Sequence, residues 1–371
     1  MAELLKHFFS PALVERLAES IARVHPAFPV AAFTRRAKAG LDELELLDRG
    51  KHLSRVLAQH LPEPYPDALA ILLRSLGPEH SEPELLGAGI APFFYLPHTL
   101  FVAERGLEHF ELSLAAQYEL TKRFSAESSI RPFIARDPER CLAQLRVWAS
   151  DPNAHVRRLV SEGTRMRLPW AMRVPYLDRE PERVLALLEL LKDDPSPFVR
   201  RSVANNLNDL GKVHPALLAR TASAWLQDAT LERRALLEHA LRSAVKRGEP
   251  DALRLLGYGE PPSVEVACLQ LTPRAPRIGE RVELRYRVKS RARRSQQLLV
   301  DLAVHFVKAN GATAPKVFKG KRVALAAGAE VELQSRVSFA ALTTRRHYPG
   351  RHRAELLING VTYPLTEFRV R

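Results

Sequence analysis

The sequence has little cysteine and no long run of apolar residues. Only two of its 371 residues are cysteines, Cys141 and Cys268, and neither lies in a CxxC pair or beside a cluster of histidines. A disulfide framework and a structural zinc site are therefore not expected, which fits a reducing cytosol. No apolar run approaches the roughly 20 residues that a membrane helix needs. Glutamates at positions 3, 15 and 19 are typical of an amphipathic helix and argue against a signal peptide. We expect a cytoplasmic protein with no membrane partner.

The sequence also lacks the common catalytic motifs. It contains no Walker loop, no HExxH pair and no GxSxG elbow. The residues therefore give no sign of a P-loop nucleotide hydrolase, a zinc protease or a serine hydrolase of the α/β-hydrolase type. The 13 histidines are scattered along the chain. No metal and no cofactor are expected.

What the sequence has in excess is positive charge, and that charge is unevenly placed. The formal net charge is +14, and residues 261–371 hold 21 Lys and Arg residues against eight Asp and Glu residues. The first 260 residues are close to neutral, with 35 basic and 34 acidic residues. A basic segment of this kind favours a polyanionic partner, although charge alone does not separate DNA, RNA and anionic lipid.

Residues 1–258 have the pattern of successive helices, with apolar residues three and four positions apart and with Pro and Gly between segments. Part of this region repeats with an offset of 43 residues: DPER at 137 returns as EPER at 180, DP at 151 returns at 194, and VRR at 156 returns at 199. A weaker third copy begins near residue 214. This period lies within the ~40–47 residues of HEAT and armadillo repeats. The spacing predicts a HEAT-like α-solenoid of antiparallel helix pairs.

After a linker at residues 259–262 the apolar period changes to two. Residues 263–371 contain about seven short alternating segments, and Asn359-Gly360 stands between two of them as a hairpin turn. This pattern predicts an immunoglobulin-like β-sandwich. The expected fold class is therefore mainly α, a helical-repeat domain at 1–258 followed by a basic C-terminal β-sandwich at 263–371.

The second helices of the two strong repeats carry polar faces that we expect to lie side by side. In the first copy, predicted at residues 156–167, Arg158, Glu162 and Arg165 share one face. In the next copy, similar positions hold Arg201, Asn205, Asn208 and Asp209. Arg and Asn suit phosphate contacts. The two carboxylates have a simple interpretation, in which Glu162 pairs with Arg158 and Arg165, and Asp209 with Lys212. The functional alternative is that they face a developing positive charge.

Two further residues have the same ambiguity. Glu127 lies four residues before Arg131, as an ordinary helix ion pair would. Trp170 follows Leu168-Pro169 and could be a core residue. It could instead present its ring to a cationic base or sugar.

Several segments together resemble the HEAT-like-repeat alkylpurine DNA glycosylases, the AlkC and AlkD family. The matching segments are TKRF at 121, Glu127, RPF at 131, VRRLVSEGTR at 156, LPW at 168 and VRRSVANNLND at 199. The all-helical start and the immunoglobulin-like tail resemble the AlkC branch, so the likeness extends over nearly the whole chain.

The resemblance implies hydrolysis of the N-glycosidic bond of 3-methyladenine, and of 3-methylcytosine, in duplex DNA. It makes Glu162 and Asp209 the leading catalytic carboxylates, with Glu127 beside them and Trp170 as an aromatic wall. It also implies that the damaged base stays near the duplex stack, and the sequence shows no deep aromatic pocket. The candidate DNA contacts are Arg131, Arg157, Arg158, Arg165, Arg200, Arg201, Asn205, Asn208 and Lys212, with Lys316, Lys319 and Lys321 in the basic tail.

The chemistry implied is coherent. An N3-alkylated base is cationic and leaves without a general acid, while a carboxylate stabilises the oxocarbenium-like sugar and orients water. No lysine stands out among the candidates, so base removal without strand cleavage is expected, by a monomer. The main alternative is a helical-repeat protein that binds damaged or branched DNA without excising a base. A solenoid that binds RNA or scaffolds other proteins is a third interpretation.

Overall fold

The computed structural model describes residues 5–341 and 346–371. Its described residues form 16 α-helices followed by seven β-strands, as the change of apolar period predicts. The chain divides into two compact units, one of Met1–Val213 with Leu231–Leu236 and one of His214–Thr230 with Leu237–Arg371. Within the described residues, none of the helices has the length and apolarity to span a bilayer.

The first compact unit contains thirteen helices in its described residues, with short 3-10 turns between some of them. Residues 61–64 separate the third helix from the fourth. The helices are α1 Pro11–Ala22, α2 Val30–Lys38, α3 Leu46–His60, α4 Tyr65–Arg74, α5 Glu82–Gly87, α6 Leu96–Arg105, α7 Phe110–Thr121, α8 Arg131–Arg136, α9 Pro138–Trp148, α10 Ala154–Gly163, α11 Pro175–Arg179, α12 Pro181–Leu191 and α13 Pro197–Leu210.

The predicted repeat is present as two helix pairs, α9 with α10 and α12 with α13. In both copies the second helix begins behind a side-chain cap, because Asn153 accepts from the amide of His155 and Ser196 from that of Phe198. Helices α10 and α13 pack directly on each other. Their apolar stripes are fully buried at Val156, Leu159, Val160, Val199, Val203 and Leu207.

Helix α10 is shorter than the predicted 156–167, because it ends at Gly163. Thr164 follows the helix and turns its hydroxyl back onto the carbonyls of Val160 and Ser161, at 2.8 and 3.1 Å. A side chain bonded in this way competes with continued backbone hydrogen bonding. Arg165 consequently lies in the turn after the helix.

The second compact unit combines the last helices with the β-sandwich. Its helices are α14 Pro215–Leu226, most of α15 Leu231–Lys246, and α16 Pro250–Leu255. Its strands are β1 Val264–Thr272, β2 Arg281–Ser290, β3 Gln296–Val307, β4 Thr313–Leu325, β5 Glu330–Ser338, β6 Gly350–Ile358 and β7 Val361–Val370. The antiparallel strands form a sheet of order β1-β2-β5 and a sheet of order β4-β3-β6-β7. The core includes Val282, Tyr286, Leu302, Leu356 and Phe339.

The boundary between the two compact units falls before the proline-rich segment at 259–262. The packing of β3 explains why. Leu298 and Leu302 of β3 lie in the sandwich core, while Leu299 packs with Leu253 and Tyr258 from the helical side. The final helical segment therefore shares a buried cluster with the four-stranded sheet. The predicted Asn359-Gly360 turn joins β6 to β7 with φ of 47° and 81°, as a type I′ hairpin requires.

Gly163 is where the first repeat meets the segment before α8. A Cβ there would lie 2.7 Å from Cγ2 of Ile130, a branched side chain in the core. We expect Gly163→Ala to lower the free energy of unfolding by about 1–3 kcal/mol. Gly87→Ala is the matched control, because nothing lies within 4 Å of its added Cβ. Urea denaturation measures both, and equal effects of the two substitutions would contradict this packing.

Candidate active site

The two carboxylates singled out by the repeat are bridged by one arginine. Nη1 of Arg165 donates to Oε1 of Glu162 at 2.5 Å, and its Nε donates to Oδ2 of Asp209 at 2.8 Å. Glu162 comes from α10 and Asp209 from α13, so the packing of equivalent helices brings them together as expected. Both residues are buried, Glu162 at 4% exposure and Asp209 at 1%.

Each carboxylate also has partners of its own. Ser202 donates to Oε2 of Glu162 at 2.6 Å, and Arg158 lies 3.6 Å from the same oxygen. Lys212 donates to Oδ1 of Asp209 at 2.7 Å. All three ion pairs of the simple interpretation are therefore confirmed. They supply the cations that buried carboxylates require.

Glu127 joins this group through Arg158, and its expected pairing with Arg131 is wrong. Nη1 of Arg158 donates to Oε2 of Glu127 at 2.9 Å, and so does the hydroxyl of Ser125. The Glu127 side chain is 27% exposed, against 5% for Glu162 and 1% for Asp209. Glu127 is thus the most exposed of the three carboxylates. Glu127, Glu162, Asp209, Arg158 and Arg165 are called the carboxylate cluster below.

The electrostatics of the cluster keep Glu162 ionised. Burial by itself raises the pKa of Glu162, but the charges of Arg158 and Arg165 and the Ser202 hydrogen bond lower it below the usual 4.5 overall. For Arg165 the directions are reversed. Burial by itself lowers the pKa of Arg165, but the adjacent Glu162 and Asp209 raise it overall. Glu162 and Arg165 are therefore both charged at neutral pH.

Trp170 lies at the surface and is not a core residue. It is 69% exposed and adopts a φ of 61°, a conformation that bulky side chains rarely adopt. Trp170 and Glu127 line a common cavity. The alternative of a core tryptophan is therefore wrong, and an exposed ring is available to a ligand.

The structure corrects the predicted role of Arg131. The residue is fully buried, and its guanidinium donates to the carbonyls of Gly163, Arg165 and Met172 at 2.7–2.9 Å. Burial lowers the pKa of Arg131 to about 10, so it remains charged at neutral pH. Arg131 does not face solvent and cannot contact DNA. It holds the turn that carries Arg165 and Trp170.

Other predicted DNA contacts are also used inside the protein. Arg157 forms a two-fold ion pair with Asp194 and donates to the carbonyls of Asp151 and Pro152. Arg200 makes the equivalent contacts with the carbonyls of Asp194 and Pro195. Asn208 is buried. Arg157 and Arg200 are therefore used to hold turns of the protein, and Asn208 does not lie at the surface.

The remaining candidates lie nearer the surface. Arg201 is exposed and Asn205 half-buried on α13. On the edge strand β4, Lys319 and Lys321 are exposed, while Lys316 is half-buried with its ammonium 5.0 Å from the centre of the Phe318 ring. Their contact with DNA stays a prediction.

Three residues at the site were missed by the sequence reasoning. Ser202 and Ser125 donate to the carboxylates, and Phe198 lies under the guanidinium of Arg158, 4.9 Å from ring centre to Cζ. Ser202 had a detectable signal, because it interrupts the buried stripe of α13 between Val199 and Val203. A polar residue at such a position needs a buried partner.

Acidification tests the environment of Glu162. Because its folded-state pKa is lowered, its contribution to stability is full above the unfolded-state value near 4.5 and is lost as the pH falls through the folded-state pKa. We expect the stability difference between the wild type and Glu162→Gln to shrink below pH 4.5, as urea unfolding at a series of pH values measures. Glu139→Gln, at an exposed carboxylate, is the control. A difference that does not vary with pH would contradict the expectation.

Arg131 is tested by its removal. Arg131→Gln leaves buried carbonyls without their charged donor, and we expect it to lower the free energy of unfolding by roughly 3 kcal/mol or more. The matched control is Arg136→Gln on the same helix. Arg136 forms an exposed ion pair with Glu108, which contributes at most about 1 kcal/mol. A similarly small loss at both positions would show that the Arg131 contacts contribute little.

Two family models and a curated protein match this chain. A family model described as a DNA alkylation repair enzyme matches residues 124–247, and a model of the C-terminal Ig-like domain of the uncharacterised protein YhaZ matches residues 265–371. The uncharacterized protein YhaZ of Bacillus subtilis (strain 168) is 35% identical over 99% of both chains.

A solved structure is similar over its full length. The alkylpurine DNA glycosylase AlkC of Pseudomonas fluorescens, bound to DNA containing an abasic site analog, is 36% identical, with a TM-score of 0.90 over 100% of both chains. The similarity covers both the helical part and the β-sandwich.

Proposed function

Because the chain belongs to the AlkC/AlkD-like family of DNA alkylation repair proteins, we propose that it is a DNA glycosylase acting on cationic N3-alkylated bases in duplex DNA. The substrates are 3-methyladenine and 3-methylcytosine. The observation that carries the proposal is the bridge from Glu162 through Arg165 to Asp209. Two carboxylates held beside each other can stabilise an electron-poor sugar.

The proposed mechanism uses the charge of the substrate itself. Alkylation at N3 makes the base a cationic leaving group, so no general acid is needed. As the glycosidic bond lengthens, positive charge moves to the deoxyribose, and the carboxylates of the carboxylate cluster stabilise that charge. A carboxylate also orients or deprotonates the attacking water. Fixed charges require no reorganisation during the reaction, which is why ion-paired carboxylates suit this role.

Base removal without strand cleavage is part of the proposal. A lyase step needs a free amine to form a Schiff base with the sugar. Lys212 contacts the cluster and Lys51 lines the adjoining cavity, and each is held in an ion pair, with Asp209 and Asp48 respectively. The exposed lysines of β4, Lys319 and Lys321, are proposed to contact the DNA backbone.

Release of free base from methylated duplex DNA tests the function. We expect Glu162→Gln and Asp209→Asn each to lower the single-turnover rate of 3-methyladenine release roughly 30- to 1,000-fold, because each removes one electrostatic stabiliser of the transition state. Binding to abasic-site DNA should persist. Glu139→Gln, which changes an exposed carboxylate of α9, should leave the rate unchanged.

Two outcomes would contradict the proposal. Release at the wild-type rate by both folded variants would remove the carboxylates from the mechanism. Tight DNA binding by the wild type without any release of base would instead favour the non-catalytic DNA-binding alternative. Circular dichroism melting of each variant separates lost chemistry from lost folding.

A further inference from the structure

Helix α10 ends about one turn earlier than its repeat equivalent. Helices α10 and α13 begin at equivalent positions, Ala154 and Pro197, but α10 has 10 residues and α13 has 14. The last residue of α10, Gly163, is the equivalent of Asn206, after which α13 continues to Leu210. The same repeat therefore has two different endings, and the shorter one lies where the carboxylate cluster is assembled.

The early end of α10 follows from how its last carbonyls are used. In a continuing helix, the carbonyl of Ser161 would accept from the amide of Arg165. Here that carbonyl accepts from Nδ2 of Asn206 at 2.7 Å and from the Thr164 hydroxyl at 3.1 Å. Both lone pairs of the oxygen are thereby occupied. The Arg165 amide donates instead to the carbonyl of Glu162 at 3.3 Å. Asn206 thus takes an acceptor that the next helical turn needs.

Asn206 acts on this turn from the neighbouring repeat. Its side chain is fully buried, and the same Nδ2 also donates to Oγ1 of Thr164 at 3.1 Å. Thr164 is fully buried as well and donates onward to the carbonyl of Val160 at 2.8 Å. Among the described residues, Oδ1 of Asn206 has no hydrogen-bond partner. The amide is therefore held by its donor side, which fixes both a carbonyl of α10 and the hydroxyl that follows the helix.

The face of α13 that carries Asn206 contacts the ending of α10 at successive points. Ser202, Asn206 and Asp209 lie at i, i+4 and i+7 and therefore share that face. Ser202 contacts Glu162, and Asp209 contacts Arg165. Asn206 lies between them and, among the described residues, bonds to neither charged group. Its contacts determine where the backbone of Arg165 leaves the helix.

The bridge made by Arg165 has little tolerance for a different backbone path. Its guanidinium bonds Glu162 at 2.5 Å and Asp209 at 2.8 Å. Hydrogen bonds of this kind extend to about 3.2 Å, so a shift of roughly 1 Å breaks at least one of them. A further helical turn after Gly163 would redirect the backbone of Arg165 by more than that, because each added residue rises about 1.5 Å along the helix.

We infer that Asn206 is a positioning residue of the candidate active site: it ends α10 early and so holds Arg165 between the two buried carboxylates. Its effect on catalysis rests on the proposed glycosylase function, whereas its effect on the backbone rests on the hydrogen bonds alone. Arg131 completes the same ending, because its guanidinium binds the last carbonyl of α10. Asn206 differs in belonging to α13, so it couples the geometry of the bridge to the packing of the two repeats.

Two variants that remove the donor test this role. Asn206→Leu keeps the approximate size of the side chain, and Asn206→Ala truncates it. Thermal unfolding identifies which of them folds, and either one suffices. The matched control is Ser113→Ala on α7, which also removes a fully buried donor to a main-chain carbonyl, that of Gly106 at 2.8 Å. The other side-chain partner of Ser113 is Tyr65, so the control leaves the carboxylate cluster untouched.

The first measurement is structural and does not depend on any reaction. In a crystal structure of the Asn206 variant we expect Nε of Arg165 to lie more than about 4 Å from Oδ2 of Asp209, beyond ion-pair distance, against 2.8 Å here. We also expect the amide of Arg165 to bond the freed carbonyl of Ser161. Hydrogen exchange detects that bond as greater protection of this amide than in the wild type.

The second measurement is the single-turnover release of 3-methyladenine from duplex DNA. At neutral pH we expect release by the Asn206 variant to fall on the order of 100-fold, the loss typical of a misplaced group at a reacting centre. Its affinity for DNA with an abasic-site analogue should equal that of the wild type. Ser113→Ala should release the base at the wild-type rate.

The pH dependence of release separates positioning from a general loss of stability. The charged groups that face Glu162 are Arg158 and Arg165, and Glu127 and Asp209 lie beyond them, each bonded to one of the two arginines. Displacing Arg165 removes one of the two cations that lower the pKa of Glu162. The acid limb of the profile should therefore move to higher pH in the folded variant. A purely structural loss leaves the limb where it is in the wild type.

The outcomes distinguish this role from the proposed function. If the wild type releases no base, the glycosylase function fails, and the crystal structure and hydrogen exchange still decide the role of Asn206. An unmoved Arg165 in the variant structure would overturn that role whatever the rate. Release at the wild-type rate with an unmoved acid limb would overturn it as well, and so would an equal loss of rate in Ser113→Ala.

Discussion

The site depends on the guanidinium of Arg165, which bonds a carboxylate from each of two neighbouring repeats. Two carboxylates buried near each other repel, and a cation between them offsets that repulsion. Arg165 lies between them and at the same time links α10 to α13 near their C-terminal ends. The same contact therefore serves packing and, in the proposed mechanism, chemistry. Arg131 stabilises the turn that carries Arg165, by donating to the carbonyls of Gly163 and Arg165.

Much of this arrangement could be predicted from the sequence, because it follows from repetition. An offset of 43 residues places Glu162 and Asp209 on equivalent helices, and equivalent helices of a stack pack side by side. The change of apolar period likewise predicted the β-sandwich, and Asn359-Gly360 its last hairpin. Apolar spacing and turn residues determine the local backbone in each case. Packing of the resulting helices and strands then brings distant side chains together.

What could not be predicted depends on contacts between segments distant in the chain. Arg131 looked like the partner of Glu127, but its acceptors are main-chain carbonyls 32–41 residues later. Glu127 precedes α8, so the helical i, i+4 relation does not apply to it. The cavity that Glu127 lines also brings together rings from separate segments, those of Phe93, Phe124, Trp170 and Phe198, and no spacing rule relates them. The Pro-rich segment at 259–262 marks the change from helices to strands. It is not the boundary between the compact units, because Leu253, Tyr258 and Leu299 form a buried cluster across it.

The paired arginines of the repeat divide two tasks between adjacent positions. The first of each pair, Arg157 or Arg200, closes the Asp-Pro turn of its own repeat through carbonyl contacts. The second, Arg158 or Arg201, points elsewhere: one enters the carboxylate cluster and the other is exposed. Because the turn already has its cation, the second position is not needed to close it. A repeat built this way can alter what it recognises, one residue at a time, without altering how it stacks.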